Sequence, residues 1–356
     1  MRGNGPMAVS ERQARKRKGR QLALFTVLAA VALTVAASQV SGWIQWRSFV
    51  RGVDGILTAT CESETQPVLF GFRFGGRHHL VQVAISASEV ERSRRVRTAD
   101  IFRLGKAERD RYFRHLILAT SRSGAVRAFA DELRAIRRQR RLDGDEYLEL
   151  IARAVQEIPY GIAINEFQLP AEVLASRRGV CSEKSVLLAA LLTREGYDTA
   201  LIILDAEGHV AVGVGGDGQG FLGTRYAFVE TTAGMYVGQV NQAYRSAGPV
   251  FRPPQIVRIR PGERYHASAE VDVIIRFLKQ AQRDRNALGR YVEYASRRGG
   301  MHAERYARLA HDFARASDAI AFITRNADDR HRVYLDLTGS ARDRMLAMAG
   351  HPWAAY

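Results

Sequence analysis

The chain has 356 residues, and 46% of them are hydrophobic. It is long enough for one large domain or two ordinary ones with a buried core, and its composition excludes a wholly disordered protein. The net charge of +16 is concentrated in two segments: residues 1–20 hold seven Lys or Arg and one Glu, and residues 92–141 hold sixteen Lys or Arg and five Asp or Glu. Each segment could face an anionic surface.

The first predicted element is a membrane anchor over residues 21–46, which carries no charged side chain. A helix of this length crosses the ~30 Å hydrocarbon layer of a bilayer. The basic segment 1–20 precedes it, and Trp43 and Trp46 stand at its far end, which favours a single-pass protein of the cell membrane with a cytoplasmic N-terminus and an extracytoplasmic body. The alternative is a cleaved signal peptide, which exports the same body.

Residues 47–142 are predicted to form a β-rich region followed by an Arg-rich helical region. The alternation in VLFGFRF and HHLVQVAIS predicts two strands, and Gly75-Gly76 between them predicts a turn. The Arg-rich stretch 92–141 is typical of a solvated helix face. Contact with anionic lipid or an envelope polymer is the alternative partner, and nucleic acid is disfavoured because the stretch lacks a recognisable nucleic-acid motif.

An amphipathic helix is predicted over residues 143–158, and an irregular, Pro-bounded connection leads from it to Cys181. Cys181 stands at the start of a second helix that is apolar on nearly all sides and is stopped by Gly196. The free N–H groups and the dipole at a helix start favour a thiolate, and the same N–H groups could stabilise an oxyanion. By itself, however, a lone cysteine is more typical of a small buried hydrophobe.

Three strands are predicted after this helix, in TALIILDA, HVAVGVGG and RYAFVETTAG. The small residues that share a strand face with His209 predict open space on that face, as a pocket would need. Neighbouring strands could present His209 and Glu230 to the helix start that bears Cys181. A thiol needs a base to become a good nucleophile, and an imidazole needs a third group to fix its tautomer, so the three residues together favour nucleophilic catalysis.

The chain resembles the transglutaminase-like superfamily, relatives of papain-type cysteine peptidases, in a bacterial and archaeal, often membrane-associated branch. The resemblance is carried by IPYGIAINEFQLPAEVLASRRGVCSEKSVLLAALLTREGYD, HVAVGV and YAFVETTAG. It implies an α+β fold with a transglutaminase-like (papain-like) core, in which a buried helix carrying the cysteine packs on an antiparallel sheet. It also implies that Cys181 is the nucleophile, His209 the base and Glu230 the orienting acid, although the family more often has Asp at the last position. Tyr160 and Gln168 are candidates for an oxyanion donor.

The predicted organisation has six segments. They are a basic cytoplasmic segment (1–20), the anchor or signal peptide (21–46), the β-rich and Arg-rich region (47–142), the transglutaminase-like catalytic core (143–245), a Pro-rich linker (246–267) and a helical C-terminal region (268–356). No zinc-ligand spacing or phosphate loop is present in the sequence, so we expect neither a metal site nor a cofactor. Whether Cys61 pairs with another thiol is left open.

The leading hypothesis is a membrane-anchored thiol enzyme that acts on amide bonds of peptide or protein substrates through an acyl-thioester. Hydrolysis, as in a cysteine protease or amidase, is favoured over cross-linking to an amine. The alternative is a catalytically inactive transglutaminase-like module that binds an anionic envelope polymer or the membrane.

Overall fold

A computed structural model describes residues 44–57, 64–96, 101–161, 167–218, 220–240, 253–298 and 303–339. The chain divides into two compact units, Met1–Arg51 and Gly52–Tyr356. Helix α1, over residues 44–57, spans the division between them and supplies all the described residues of the first unit. The second unit holds all the other described elements.

The second unit is an α+β structure with antiparallel sheets, which confirms the α+β class expected from the sequence. Its strands are β1 (Thr65–Phe74), β2 (Arg77–Ser86), β3 (Thr199–Leu204), β4 (His209–Gly215), β5 (Tyr226–Val229) and β6 (Gln255–Arg260). Its α-helices are α2 (Ala87–Arg94), α3 (Lys106–Thr120), α4 (Gly124–Arg140), α5 (Gly144–Gln156), α6 (Pro170–Ser176), α7 (Cys181–Arg194), α8 (Ser268–Arg298), α9 (Ala303–Arg325) and α10 (Arg330–Thr338).

Several predicted features fall outside the described residues. The predicted anchor, residues 21–46, is described only at 44–46, and Cys61 is not described. The last predicted helical run, residues 340–350, is also outside. Of the helices that the structure describes, none combines the length and apolar character needed to cross a membrane.

The predicted hairpin of the β-rich region is confirmed. Strands β1 and β2 pair antiparallel along their whole length. The turn between them is formed by Gly75 and Gly76, which both have positive φ, a conformation that favours glycine. Alternate side chains such as Phe70 and Val81 are buried, so one face of the hairpin packs on α4 and α5 while the other is exposed.

Helix α7 lies at the centre of the unit. Its residues 182–193 are all buried, because helices α3, α5 and α6 surround it and strands β3 and β4 pack on it. The sheet has the order β5-β4-β3-β6 with antiparallel pairs throughout, and β6 comes from the predicted linker 246–267. Gly196, with a φ of +91°, follows the end of α7 as predicted. A buried helix that begins at Cys181 therefore packs on an antiparallel sheet.

Helix α5, which borders the candidate site, begins at a reciprocal cap. The carboxylate of Asp143 accepts from the Glu146 N–H at 2.8 Å, and the Glu146 carboxylate accepts from the Asp143 N–H at 3.1 Å. Such a capping box satisfies two helix-start donors that would otherwise lack partners. The apolar stripe of α5 is buried, as the helical spacing in the sequence predicts.

The strand face expected to be open is filled. A Cβ on Gly213 would lie 2.9 Å from Tyr226 Cβ and 3.2 Å from Ile202 Cδ1. Ala211, Ile202, Tyr226 and Phe228 belong to one buried apolar cluster. The small side chains on β4 thus make room for larger neighbours on β3 and β5, and the expectation of a pocket on this face is wrong.

The C-terminal helices are bonded directly to the rest of the second unit. The buried Asp328 carboxylate accepts from the Gly76 N–H at 3.1 Å, which holds the turn of the β1–β2 hairpin. Arg330, the first residue of α10, donates to the Glu149 carboxylate on α5 at 2.6 Å. These buried polar contacts join elements that are far apart in the sequence.

Candidate active site

Cys181 is the first residue of α7 and is half-buried, with its thiol free of any disulfide. The preceding residue, Val180, is extended, so the chain turns sharply into the helix. The Glu183 carboxylate fixes this turn, because it accepts from the Val180 N–H at 2.9 Å and from the Gln168 N–H at 2.8 Å. The sulfur is therefore held at a helix start, where the dipole favours its anionic form.

His209 is the first residue of β4, and only 5% of it is exposed. Its ring contacts the Cys181 thiol, and its Nε2 lies 3.2 Å from Oε2 of Glu230. Because Nε2 faces the carboxylate, Nδ1 is the ring nitrogen left to accept the thiol proton. The structure thus brings together the three residues that the sequence predicts to act as a group.

Glu230 directly follows β5 and is completely buried. Its Oε1 accepts from the Thr231 N–H at 2.9 Å, the Thr232 N–H at 2.8 Å and the Thr232 hydroxyl at 2.7 Å. These donors hold the carboxylate in one orientation and turn Oε2 towards His209. A buried carboxylate with so many donors can remain charged in the interior.

The electrostatics of the three groups favour a thiolate–imidazolium pair. Burial raises the pKa of the Cys181 thiol, but the contact with His209 and the N–H groups of Val210 and Ser182 outweigh it, so that the pKa is lowered. Burial lowers the pKa of His209, but the contacts with Cys181 and Glu230 raise it to about 9. Burial likewise raises the pKa of Glu230, but His209 and the Thr232 donors lower it to about 2. The thiol is therefore negatively charged, the imidazole positively charged and the carboxylate negatively charged.

Ser185 connects helix α7 to the two chain segments that carry His209 and Glu230. It lies one turn after Cys181 and is fully buried. Its hydroxyl donates to the Val210 carbonyl at 2.9 Å and lies 3.2 Å from the Thr231 hydroxyl. Because Val210 adjoins His209 and Thr231 adjoins the acid, a single hydroxyl sets the spacing of all three elements.

Lys184 is a second buried polar residue of α7, with no exposed surface. Its Nζ donates to the carbonyls of Gln156 at 3.1 Å and Ile158 at 2.5 Å, at the end of α5. Burial lowers the pKa of Lys184 to about 8, although nearby Glu230 and Glu157 oppose the shift. The ammonium group thus anchors the segment that follows α5 to the helix of the thiol.

Gln156 extends this connection to the acid. Its side-chain NH₂ donates to the carbonyls of Glu230 at 2.9 Å and Met235 at 3.1 Å, and its Oε1 accepts from the Met235 N–H at 3.3 Å. The end of α5, the helix of Cys181 and the segment after β5 are therefore one hydrogen-bonded assembly.

The two predicted oxyanion candidates lie in different surroundings. Tyr160 is 59% exposed, its chain pairs with Gly179 as an isolated bridge, and its hydroxyl meets the backbone of Cys181. Gln168 lies beside the start of α7, but its side-chain oxygen accepts from the Ser176 hydroxyl at 3.1 Å. Tyr160 therefore lies at the thiol, whereas the Gln168 side chain is held by α6.

Lys184, Ser185, Thr231 and Thr232 are site residues that the sequence reasoning missed. A signal was available in the polar run Ser182–Ser185, because polar residues at the start of an otherwise buried helix need internal partners. Among the described residues, no group of His, Cys, Asp and Glu side chains has the arrangement of a metal site.

Comparisons with protein-family models, with curated proteins and with solved structures found no significant match to this chain.

Proposed function

We propose that the protein is a thiol enzyme of transglutaminase-like fold, which transfers an acyl group from amide bonds of peptide or protein substrates. The observation that carries the proposal is the contact chain from the Cys181 thiol to His209 and on to the buried Glu230 carboxylate. These groups have the order, the burial and the direction of pKa shift that an activated thiol requires.

The proposed reaction begins with attack of the Cys181 sulfur on the amide carbonyl, which forms a C–S bond. The imidazolium of His209 then gives its proton to the leaving amine as the C–N bond breaks, and a thioester remains. His209 next removes a proton from water, the hydroxide adds to the thioester carbon, and the thiol leaves with that proton. Glu230 keeps the imidazole ring oriented and stabilises its charged form.

The oxyanion of the tetrahedral intermediate would form at the start of α7. Backbone N–H groups at a helix start are suited to a developing negative charge. The Tyr160 hydroxyl already meets the backbone of Cys181, so an entering carbonyl oxygen would take its place at that N–H. The exposed tyrosine ring could then donate its own O–H to the same oxygen.

Hydrolysis is the form of acyl transfer that we propose, with an amine acceptor as the variant that would cross-link substrates. The proposed location remains the one the sequence predicts: an anchor at residues 21–46, a cytoplasmic N-terminus and an extracytoplasmic body. An anionic lipid or envelope polymer at residues 92–141 remains the proposed additional partner.

The test is site-specific alkylation of the full-length protein with iodoacetamide at pH 7, with mass spectrometry to separate Cys181 from Cys61. We expect rapid labelling of Cys181, and labelling at least roughly tenfold slower in His209→Ala, because the imidazolium that lowers the thiol pKa is gone. Turnover of a peptide library, with and without amine donors, then separates hydrolysis from cross-linking.

Cys181→Ser is the control for both measurements. Equal labelling of Cys181 in wild type and His209→Ala would contradict the proposal. It would favour the alternative, a module that keeps the fold only to bind an envelope polymer or membrane.

A further inference from the structure

An open groove of about 600 Å³ lies between β1, the end of α5 and the chain that leads from α6 to Cys181. One wall is the edge of β1, with Leu69 and Gly71. The other wall is formed by the end of α5 with Pro159 just after it, and by Arg178 in the chain that follows α6. It is a surface groove rather than an enclosed cavity, and its volume is in the usual range for ligand sites.

The groove and the thiol share the same two chain segments. Gly179 donates to the Pro159 carbonyl at 3.3 Å and accepts from the Gly161 N–H at 3.2 Å, so the two segments are paired side by side. Arg178 lines the groove three residues before Cys181, and Tyr160, which meets the backbone of Cys181, directly follows Pro159. A molecule lying in the groove would therefore extend to the sulfur within about three residues of extended chain.

The shape of the groove suits an extended peptide. Three consecutive residues of β1 line it, and among the described strands β1 pairs with β2 alone. An unpaired strand edge offers backbone hydrogen bonds to an added strand. Leu69, which is 48% exposed, adds an apolar contact, and Gly71 leaves space where another residue would project a side chain.

The charge of the groove is positive at the end near the thiol. Arg177 and Arg178 line it, both are exposed, and neither forms an ion pair with a described residue. The carboxylate that lines the groove, on Glu157, is paired with Arg153 at 2.6 Å. Two guanidinium groups that have no carboxylate partner in the described part of the chain are suited to bind a carboxylate of the ligand.

Arg177 also occupies a backbone position where glycine would be the less strained residue. It follows α6 in the left-handed conformation, with a φ of 54°. Helices commonly end with glycine in this conformation, because a Cβ is disfavoured there. An arginine at this position is therefore not explained by the requirements of the helix end, and Arg177 is one of the residues that line the groove.

From these observations we infer that the groove binds an extended peptide segment with an acidic side chain, which Arg177 and Arg178 hold close to the thiol. The inference rests on the proposed function and names its substrate class: peptides or proteins with Asp or Glu near the amide that reacts.

The test uses fluorescence anisotropy with the full-length protein carrying Cys181→Ala, so that binding is measured without turnover. The probes are three labelled octapeptides of one alanine, serine and leucine frame, which differ only in a central Glu, Gln or Lys. We expect the Glu peptide to bind at least about tenfold more tightly than the Gln peptide, and the Lys peptide to bind most weakly. The advantage of Glu should shrink as salt is raised.

Arg177→Gly should reduce the Glu advantage to less than roughly threefold while the Gln peptide binds as before. The thermal midpoint should not fall, because glycine relieves the left-handed position. Arg141→Gly is the matched control, because Arg141 is also an exposed, left-handed arginine at a helix end, with a φ of 55°, and it does not line the groove. It should leave all three affinities unchanged.

Gly71→Val tests whether the peptide binds in this groove, without changing the charge of the groove. A Cβ there would meet only Leu80 Cδ1, at 3.9 Å, so valine fits the strand while it narrows the groove. All three peptides should then bind more weakly by a similar factor. Equal binding of the three peptides to the parent protein, or equal behaviour of Arg177→Gly and Arg141→Gly, would overturn the inference.

Failure of the groove inference and failure of the proposed function have different signatures. A Glu preference in binding without any peptide turnover by wild type would retain the groove and reject the enzyme. Turnover of peptides without any preference for acidic residues would retain the enzyme and reject the groove.

Discussion

The two oxygens of the Glu230 carboxylate have separate tasks. Oε1 is occupied by backbone and hydroxyl donors of Thr231 and Thr232, and Oε2 faces His209. This division explains why a fully buried carboxylate has a pKa of about 2. Because that value is below the ordinary one, the stabilising contribution of Glu230 is complete above about pH 4.5 and is lost as the pH falls towards 2.

Glu230→Gln should preserve the contacts of Oε1 but place an NH₂ donor opposite Nε2. His209 must then accept at Nε2 and carry its proton at Nδ1, so it can no longer take the proton of the thiol. We expect the pKa of His209 to fall from about 9 by roughly one to three units, because the carboxylate charge that raises it is gone.

The pH dependence of iodoacetamide alkylation at Cys181, together with an NMR titration of the imidazole, measures this effect. The pH of half-maximal alkylation should move upward, since a neutral imidazole no longer lowers the thiol pKa. Glu91→Gln, at an exposed position of α2, is the control and should reproduce the wild-type curve. An unchanged curve in Glu230→Gln would show that the carboxylate does not act on the thiol.

At the scale of elements, the candidate site depends on how α7 is bonded to its neighbours. Lys184 connects it to the end of α5, and Ser185 connects it to β4 and to the segment after β5. Each of these buried groups has its partners inside the protein, so the start of α7 is fixed by polar contacts as well as by apolar packing.

Lys184→Met should remove the donor of two buried carbonyls while it keeps most of the side-chain volume. We expect a loss of about 1–3 kcal/mol in the free energy of unfolding, because both carbonyls lose their charged partner. Chemical denaturation measures this loss, and Lys279→Met on the exposed side of α8 should change it by less than roughly 0.5 kcal/mol.

The pH dependence distinguishes the buried ammonium from a purely structural side chain. The pKa of Lys184 is lowered to about 8, so the unfolded chain binds more protons above that pH, and wild type should gain stability relative to Lys184→Met as the pH rises from 8. A constant difference between the two proteins over this range would contradict the placement of Lys184.

The elements were predictable from local patterns, but several of their connections were not. Period-two alternation and the Gly75-Gly76 pair were sufficient for the hairpin, and helical spacing was sufficient for α5 and α7. The partner of β6 and the internal donors of Lys184 depend on contacts between residues far apart in the sequence, which no local pattern encodes. The small residues near His209 were misinterpreted. Ala211 and Gly213 make room for Tyr226 and Ile202, and the sequence alone does not distinguish such neighbours from a ligand.

The placement of the site residues was predictable to a different degree for each residue. Cys181, His209 and Glu230 could be named because a thiol, an imidazole and a carboxylate in this order have a shared chemistry. Tyr160 and Gln168 were chosen for their donors alone, and only Tyr160 meets the backbone of Cys181. The sequence shows that a side chain has a donor group, but it does not show which way that donor points in the fold.

At the scale of the whole molecule, α5 and the C-terminal helices are joined by a buried ionic cluster. Arg330 is 5% exposed and contacts both Glu149 and Glu270, and Glu149 also accepts from the Tyr265 hydroxyl at 2.6 Å. Arg330 is thus shared by two carboxylates, of which Glu270 also lies 3.7 Å from His331 Nδ1. Breaking a buried pair leaves an uncompensated charge, so the cluster helps to hold α5, α8 and α10 together.

Arg330→Met should lower the free energy of unfolding by about 3–5 kcal/mol, because Glu149 and Glu270 would be left without their cation. Arg332→Met, which removes an exposed arginine of the same helix, should cost about 1 kcal/mol or less. Adding Glu149→Gln to Arg330→Met should recover part of the loss. A loss no greater than that of Arg332→Met would mean that the cluster does not hold the helices.

The contacts of Asp328 and Arg330 also have a consequence for biosynthesis. The ribosome makes the hairpin turn, the sulfur, the imidazole and the buried carboxylate well before it makes these two residues. Until then the nascent chain carries all three candidate site residues, while the Gly76 amide and the Glu149 carboxylate still lack their final partners. Chain order therefore delays the mature arrangement, and a chain interrupted after residue 240 would hold the three candidate site residues without these supporting contacts.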